Sequence, residues 1–191
     1  KAHAWTPAPT DTVLDVGAHI GSFTMVASCC AQKVIAVEPC KDTFSLLRTN
    51  TWRRDNVDLV RAAVSDRNGS VPLYYHNDNP QAYTTELDDA DCETVRALTL
   101  DSLLDSMGCS QVDFMKMNCE GSEFKVILQS SRTTLRRVHN MVILYHVDFA
   151  GMHPHCIVHK LQQCGFETQI VRHNPQRGYI SATLTPDSHL R

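Results

Sequence analysis

This sequence predicts a doubly wound α/β fold: a seven-stranded, mostly parallel sheet with helices between its strands and a C-terminal antiparallel hairpin. Three observations carry that expectation. Short aliphatic runs (TVLDVG, KVIAVEP, VDLVRAAVSD) alternate with stretches of helical period (SFTMVASCCA, CKDTFSLLRTNTWRRD), the β-α-β-α-β order of a parallel sheet with crossover helices. The first run leads into VLDVGAHIGSFT, Val13 to Thr24, where Gly17 and Gly21 open a turn between a strand and a helix. Near the other end, ETQIVRH and YISATLT flank NPQRG, the pattern of a closing hairpin.

The elements follow in order. KAHAWTPAPT, residues 1–10, is a Pro-rich lead-in. In the first helix Phe23, Val26 and Ala27 have helical spacing; in the second, Phe44, Leu47 and Trp52 are placed on the inner face. Residues 66–100 interrupt the alternation. Asn68-Gly69 predicts a tight hairpin turn, and the polar, acidic, aperiodic stretch 77–92 predicts a mobile, lid-like loop. VRALTLDSLLDSMG reads as a strand running into a helix that ends near Gly108. VDFMKMNCEG is the next aliphatic strand, SEFKVILQSSRTTLRR a helix, MVILYHV a strand, and HPHCIVHKLQQCGF a helix closed by Gly165.

A chain of 191 residues is read as one domain, 1–191, with enough length to bury a core. A net charge of −3 argues against an electrostatic grip on nucleic acid, and no apolar run approaches the roughly 20 residues that span a bilayer. The eight cysteines include no C-x-x-C pair, which favours reduced thiols and a cytoplasmic setting over a disulfide framework. Oligomeric state is not legible.

In sheets of this kind ligands sit beyond the carboxyl ends of the strands. The candidate chemistry is therefore Asp15/Gly17, Glu38, Ala63–Asp66, Asn118–Glu120 and Tyr145–Asp148. Glu38 follows Asp15 by 23 residues, close to the ~20-residue offset at which a carboxylate meets a ribose diol. His19 stands where a dinucleotide fingerprint has its middle glycine, and no Gly-Lys-Ser/Thr follows. An adenosine ligand without phosphates remains, and S-adenosylmethionine fits, with Asp15 near its amino-acid end. The plainer alternative is that Gly17 and Gly21 serve only strand–helix packing.

VLDVGAHIGSFT, VIAVEP, AAVSDRNGSVPLYY, LTLDSLL, VDFMKMNCEGSEFKVI and GFE resemble, in that order, the FkbM-type methyltransferases. The resemblance implies a class I, Rossmann-like, S-adenosylmethionine-dependent enzyme. It also implies O-methylation of a small-molecule or sugar hydroxyl. It places Asp15, Gly17, Ala18, His19, Gly21, Glu38, Pro39, Ala63, Ser65 and Asn118 at the cofactor, and His146, Glu120, Asn118 and Lys116 at the chemistry. The most specific string runs from Lys116 to Glu123, Lys-Met-Asn-Cys-Glu-Gly-Ser-Glu. Three positions depart from the family pattern: His19 replaces an Asn, Asn118 an Asp, and Leu144 the acid of a Glu-x-His.

Proton removal from a hydroxyl falls to His146 or Glu120, of which His146 has the more suitable intrinsic pKa. Each has a structural alternative, a satisfied strand-end histidine and a helix-capping acid. Lys116 is expected near the sheet edge, paired with a carboxylate. His146, Asp148, His153, His155 and His159 suggest zinc by residue type, but the i, i+4 histidines lack an intervening Glu or a Cys pair, and a solvated helix face is preferred. Asn118 and the missing acid keep open a cofactor-binding protein with little catalysis, and an adenosine-binding regulatory or interaction domain is a third reading.

Overall fold

The structure is a computed structural model describing residues 7–75, 83–84 and 92–186. Its elements are β1 (Thr12–Val16), α1 (Ser22–Ser28), β2 (Lys33–Val37), α2 (Lys41–Thr51), β3 (Val57–Val60), β4 (Ala63–Val64), β5 (Gly69–Tyr75), β6 (Tyr83–Thr84) and β7 (Cys92–Leu98). They continue as α3 (Leu100–Ser106), β8 (Val112–Met117), α4 (Glu123–Gln129), α5 (Arg132–Leu135), β9 (Val138–His146), α6 (Val147–Ala150), α7 (His155–Gln163), β10 (Phe166–Arg172) and β11 (Arg177–Leu184).

Seven strands form the main sheet in the order β3-β2-β1-β8-β9-β11-β10. Pairing is parallel from β3 through β9, while β11 runs antiparallel to both neighbours. The expected class I architecture and closing hairpin are therefore present. The order reverses at β1, whose neighbours are β2 and β8, and this is where a crevice opens at the strand ends.

The strands are buried on both faces, as central parallel strands must be. From β1, Leu14 and Val16 join Met115 and Met117 of β8 and Phe124 and Ile127 of α4 in the larger core. The opposite face carries Val13, Phe114 and Ala27 of α1, with Ala36 and Leu47 of α2 beside them. The period of two puts Asp15 and Lys116 on this second face, and the register pairs them directly across β1 and β8.

Four details differ from the sequence expectation. The run 57–66 divides: β3 stays at the sheet edge, whereas β4 leaves it to join a second sheet, β4-β7-β5-β6. Asn68-Gly69 does not close a hairpin, since β4 and β5 lie on either side of β7, both pairing with Ala97. Asn68 instead accepts the Thr99 N–H (2.9 Å) and donates to Ser102 Oγ (2.9 Å), fastening the start of α3. The helix expected over 122–137 breaks after Gln129, where extended Ser130 precedes Ser131, whose hydroxyl accepts the Thr134 N–H and caps α5. Trp52 is not on the inner face. It falls one residue past the buried stripe Thr43, Leu47, Thr51, is 69% exposed, and carries the Arg53 guanidinium 4.3 Å above its ring.

The segment 77–92, expected as a lid, lies outside the described residues apart from Tyr83–Thr84 and Cys92, as do residues 1–6 of the lead-in. All eight cysteines are free thiols, with Cys40, Cys109 and Cys164 buried as small apolar groups. Among the described residues no helix is long and apolar enough to cross a membrane.

Candidate active site

A cavity of about 450 Å³ lies over the ends of β1, β2 and β8, within the size range of small-molecule sites. Gly17, Ala18 and His19 line it from the turn after β1, Glu38 and Pro39 from β2, Ala63 from β4, and Lys116, Asn118 and Glu120 from β8 and its exit. Most of the sequence-derived site is thus one concavity. Asp15, Gly21, Ser65 and His146 are not on its wall. Ser65 borders a separate cleft of about 220 Å³ with Thr99 and Ser131.

Two buried carboxylates shape the turns that form the wall. Glu38, 4% exposed, accepts the His19 N–H on Oε2 (2.8 Å), and the Cys40 N–H (3.0 Å) and Thr43 hydroxyl (2.8 Å) on Oε1. A carboxylate offers about four acceptor positions, so one on Oε2 remains for a ligand. Glu123, fully buried, accepts the Cys119 N–H on Oε1 (2.7 Å) and the Gly121 N–H on Oε2 (2.8 Å). Each carboxylate braces a turn containing a non-glycine residue in the left-handed region, His19 at φ 54° and Glu120 at φ 48°. Such backbone costs on the order of 1–3 kcal/mol and gathers at functional sites. The His19 substitution becomes intelligible here: the position needs left-handed backbone, which Asn and His tolerate better than most residues.

Lys116 departs from its expected place. β8 is central, not at the sheet edge, and Lys116 Nζ lies 3.0 Å from Asp15 Oδ1 and 2.7 Å from the Gly17 carbonyl. The contact with Asp15 is an ion pair without hydrogen-bond alignment; Asp15 Oδ2 accepts the Thr24 hydroxyl at 2.6 Å. Asp15 therefore holds α1 and Lys116 in place from beneath the cavity. Asn118 Oδ1 is buried and has no hydrogen-bond partner among the described residues. The neighbouring Cys119 thiol is pushed well up by burial, then by Glu123, which keeps it protonated.

His146 ends β9 at 6% exposure, with Nδ1 3.0 Å from Glu123 Oε1 and Nε2 3.4 Å from Glu120 Oε2. Burial alone would lower its pKa. The hydrogen bond to Glu123 and the charges of Glu123 and Glu120 outweigh burial and the opposing Arg177, so the pKa rises above the ordinary 6.5. Glu123 thus places a buried acid against His146. Sequence reading gave Glu123 no role, although two acids flanking a glycine at a strand exit were its signal. Among the described residues no group of three His, Cys, Asp or Glu is arranged to hold a metal ion; His153 and His155 stack at 4.8 Å on the surface.

The raised His146 pKa makes stability pH-dependent. The favourable contribution is complete below the unfolded pKa of about 6.5 and is lost as pH rises through the folded value. Urea unfolding across that interval is expected to show wild type losing stability relative to His146→Gln. A constant difference between the two would contradict the assignment.

A cavity at the switch point, floored by glycine-turn backbone and bearing a carboxylate at the end of the second strand, defines an α/β protein of the class I methyltransferase type. The chain belongs to the FkbM methyltransferase family, the Methyltransferase FkbM domain matching residues 15–168. Among solved structures it is similar to a methyltransferase FkbM from Methylobacillus flagellatus KT (TM-score 0.65, 15% identity, 95% of this chain and 45% of that one). It thus spans somewhat under half the length of that relative. Aeropyrum pernix fibrillarin with natively bound S-adenosyl-L-methionine aligns over 92% of this chain and 67% of its own (TM-score 0.58, 12% identity). A precorrin-6y C5,15-methyltransferase from Geobacter metallireducens GS-15 aligns over 93% and 82% (TM-score 0.54, 14% identity). At such identities the likeness concerns the fold. No protein with a curated description matches the sequence.

Proposed function

We propose that this chain methylates the hydroxyl of a small molecule or sugar, with S-adenosylmethionine as donor. The observation that carries the reading is Glu38: a buried carboxylate on the cavity wall, fixed by three protein donors, with one acceptor position on Oε2 left for a ribose hydroxyl. The donor fits the residues present. Val37, Ala62 and Val64 offer apolar wall for a base, and the unpartnered Asn118 Oδ1 offers an acceptor for an amine. When bound, S-adenosylmethionine supplies an electrophilic methyl group, whose bond to sulfur breaks, leaving its electron pair on sulfur, as the acceptor oxygen bonds to carbon. The chain's own tasks are to align the acceptor, exclude water and take up the hydroxyl proton.

Calorimetry with S-adenosylmethionine and S-adenosylhomocysteine tests this. Glu38→Gln, which keeps the side-chain shape and one carbonyl acceptor, is expected to weaken both by about 1–3 kcal/mol. Unchanged affinity in a variant that melts like wild type would reject the ribose assignment. A second reading, cofactor binding with little turnover, is favoured by Asn118 in place of the family's Asp. Tight binding without transfer to any of a panel of sugars, phenols and alkyl alcohols would establish it.

A further inference from the structure

We infer that Glu120, His146 and Glu123 form a proton relay opening on the cavity at Glu120, in which Glu120 receives the acceptor's proton and His146, positioned by Glu123, carries it away. This deepens the methyl-transfer reading and rests on it. Two adjacent elements and a strand 23 residues further on assemble the relay. Glu120 comes from the left-handed turn after β8 and lines the cavity; His146 ends β9 and does not. Glu123 begins α4 beneath both.

The two contacts of the imidazole differ in length, and that difference gives the relay its direction. Glu123 Oε1 faces His146 Nδ1 at 3.0 Å and also accepts the Cys119 N–H. Both ring nitrogens face accept-only carboxylates, and the Nδ1 contact is the shorter, so neutral His146 is assigned its proton on Nδ1, with Nε2 toward Glu120 Oε2, 3.4 Å away. As the acceptor oxygen gains the methyl carbon, its proton passes to the Glu120 carboxylate. Glu120 then returns to the anion by giving that proton to His146 Nε2, leaving an imidazolium between two carboxylates. The product is a neutral ether, and the proton is held by protein until it reaches solvent. His146 alone would fail as the base, because it has no face on the cavity.

Among the described residues, charged groups face the imidazole from three elements. Glu123 lies on α4, Glu120 in the β8–α4 turn, and Arg177 on β11, the register partner of His146. Arg177 is drawn aside by Asp148 of α6, whose Oδ2 lies 2.6 and 3.0 Å from its nitrogens. The two carboxylates outweigh that cation and hold the proton on His146 above its ordinary range. The relay is therefore open only when His146 is neutral, and transfer rises with pH through the His146 pKa.

The test has a readout that does not depend on turnover. Heteronuclear NMR titration of the His146 ring in wild type is expected to show a pKa above about 6.5 and, once neutral, the Nδ1–H tautomer. Glu123→Gln should lower that pKa and loosen the tautomer preference. Glu120→Gln should lower the pKa but keep the tautomer. Methyl transfer to the hydroxyl panel should fall about 10²–10⁴-fold in Glu120→Gln. In Glu123→Gln it should persist with its pH inflection moved to lower pH, which a merely structural role would not do. If Glu123→Gln does not fold, the Glu120→Gln titration and rate decide alone. An unshifted His146 pKa in both variants, or full activity in Glu120→Gln, would overturn the relay. Absent S-adenosylhomocysteine binding in wild type would mark failure of the cofactor reading instead. Binding without transfer to any acceptor would overturn hydroxyl methylation, and the relay with it.

Discussion

Gly17→Ala is expected to cost about 4 kcal/mol or more, the range reserved for a few severe mechanisms, and to abolish ligand binding in the cavity. Gly17 has φ 73°, and a Cβ there would lie 1.9 Å from the Asn118 carbonyl oxygen and 2.9 Å from its carbon. Both obstacles are backbone, so no side-chain rotation relieves them. Nor can the strands part easily. The Asn118 N–H donates to the Val16 carbonyl at 2.9 Å, and the Gly17 carbonyl accepts Lys116 Nζ at 2.7 Å. The exits of β1 and β8 are locked back to back, and their two turns form the cavity wall.

Two other glycines calibrate this expectation. At Gly108, φ 60°, an added methyl group would meet nothing within 4 Å, so Gly108→Ala should show the left-handed penalty alone, about 1–2 kcal/mol. Gly21, φ 92°, would meet Leu47 Cδ1 at 2.6 Å, the movable end of a side chain, and should fall between the two. Urea unfolding of the three variants checks the order. Gly17→Ala costing no more than Gly108→Ala would show that the two turns are not in contact in solution. Gly21 packs against Leu47 of α2, and Gly17 is required by the meeting of two strand exits whose turns line the cavity.

What was legible in the sequence is what local pattern determines. Aliphatic runs of strand length marked β1, β2, β8 and β9, and their exits marked Glu38 and Asn118, because a parallel sheet gathers its strand ends on one edge whatever lies between. What was not legible depends on partners distant in the chain. Asp15 stands near a strand exit, but only the register shows that it lies opposite Lys116, 101 residues away, and off the cavity wall. Glu123 was given no role, because His146 comes within reach only when β9 lies beside β8. The division of 57–66 between two sheets had no local signal either: Val60 and Val64 are equally good strand residues, and the second sheet exists only because β7 arrives to pair with Ala63 and Val64.

Lys116→Met is expected to destabilise the protein by about 3–5 kcal/mol, the cost of leaving a buried charge without its partner. Asp15 is fully buried, and among the described residues the remaining partner of its carboxylate is the Thr24 hydroxyl, a neutral donor. The ammonium also holds the Gly17 carbonyl, so its loss loosens the turn that bears Ala18 and His19. The low polarity that makes the pair strong makes its components costly apart. Asp15→Asn strands the ammonium in turn, though less severely, because Lys116 is 16% exposed and can reach cavity water. The double variant Lys116→Met/Asp15→Asn removes both charges and should be more stable than the sum of the single losses predicts. A coupling of at least about 1 kcal/mol in the urea-derived cycle is expected for groups in contact. The same cycle separates the two roles open to Lys116. If it only positions the turn, the double variant recovers cofactor affinity along with stability. If it touches the ligand, stability returns and affinity does not. Additive losses would mean that the ion pair at 3.0 Å carries no coupling, and that the Thr24 hydroxyl alone stabilises the Asp15 carboxylate.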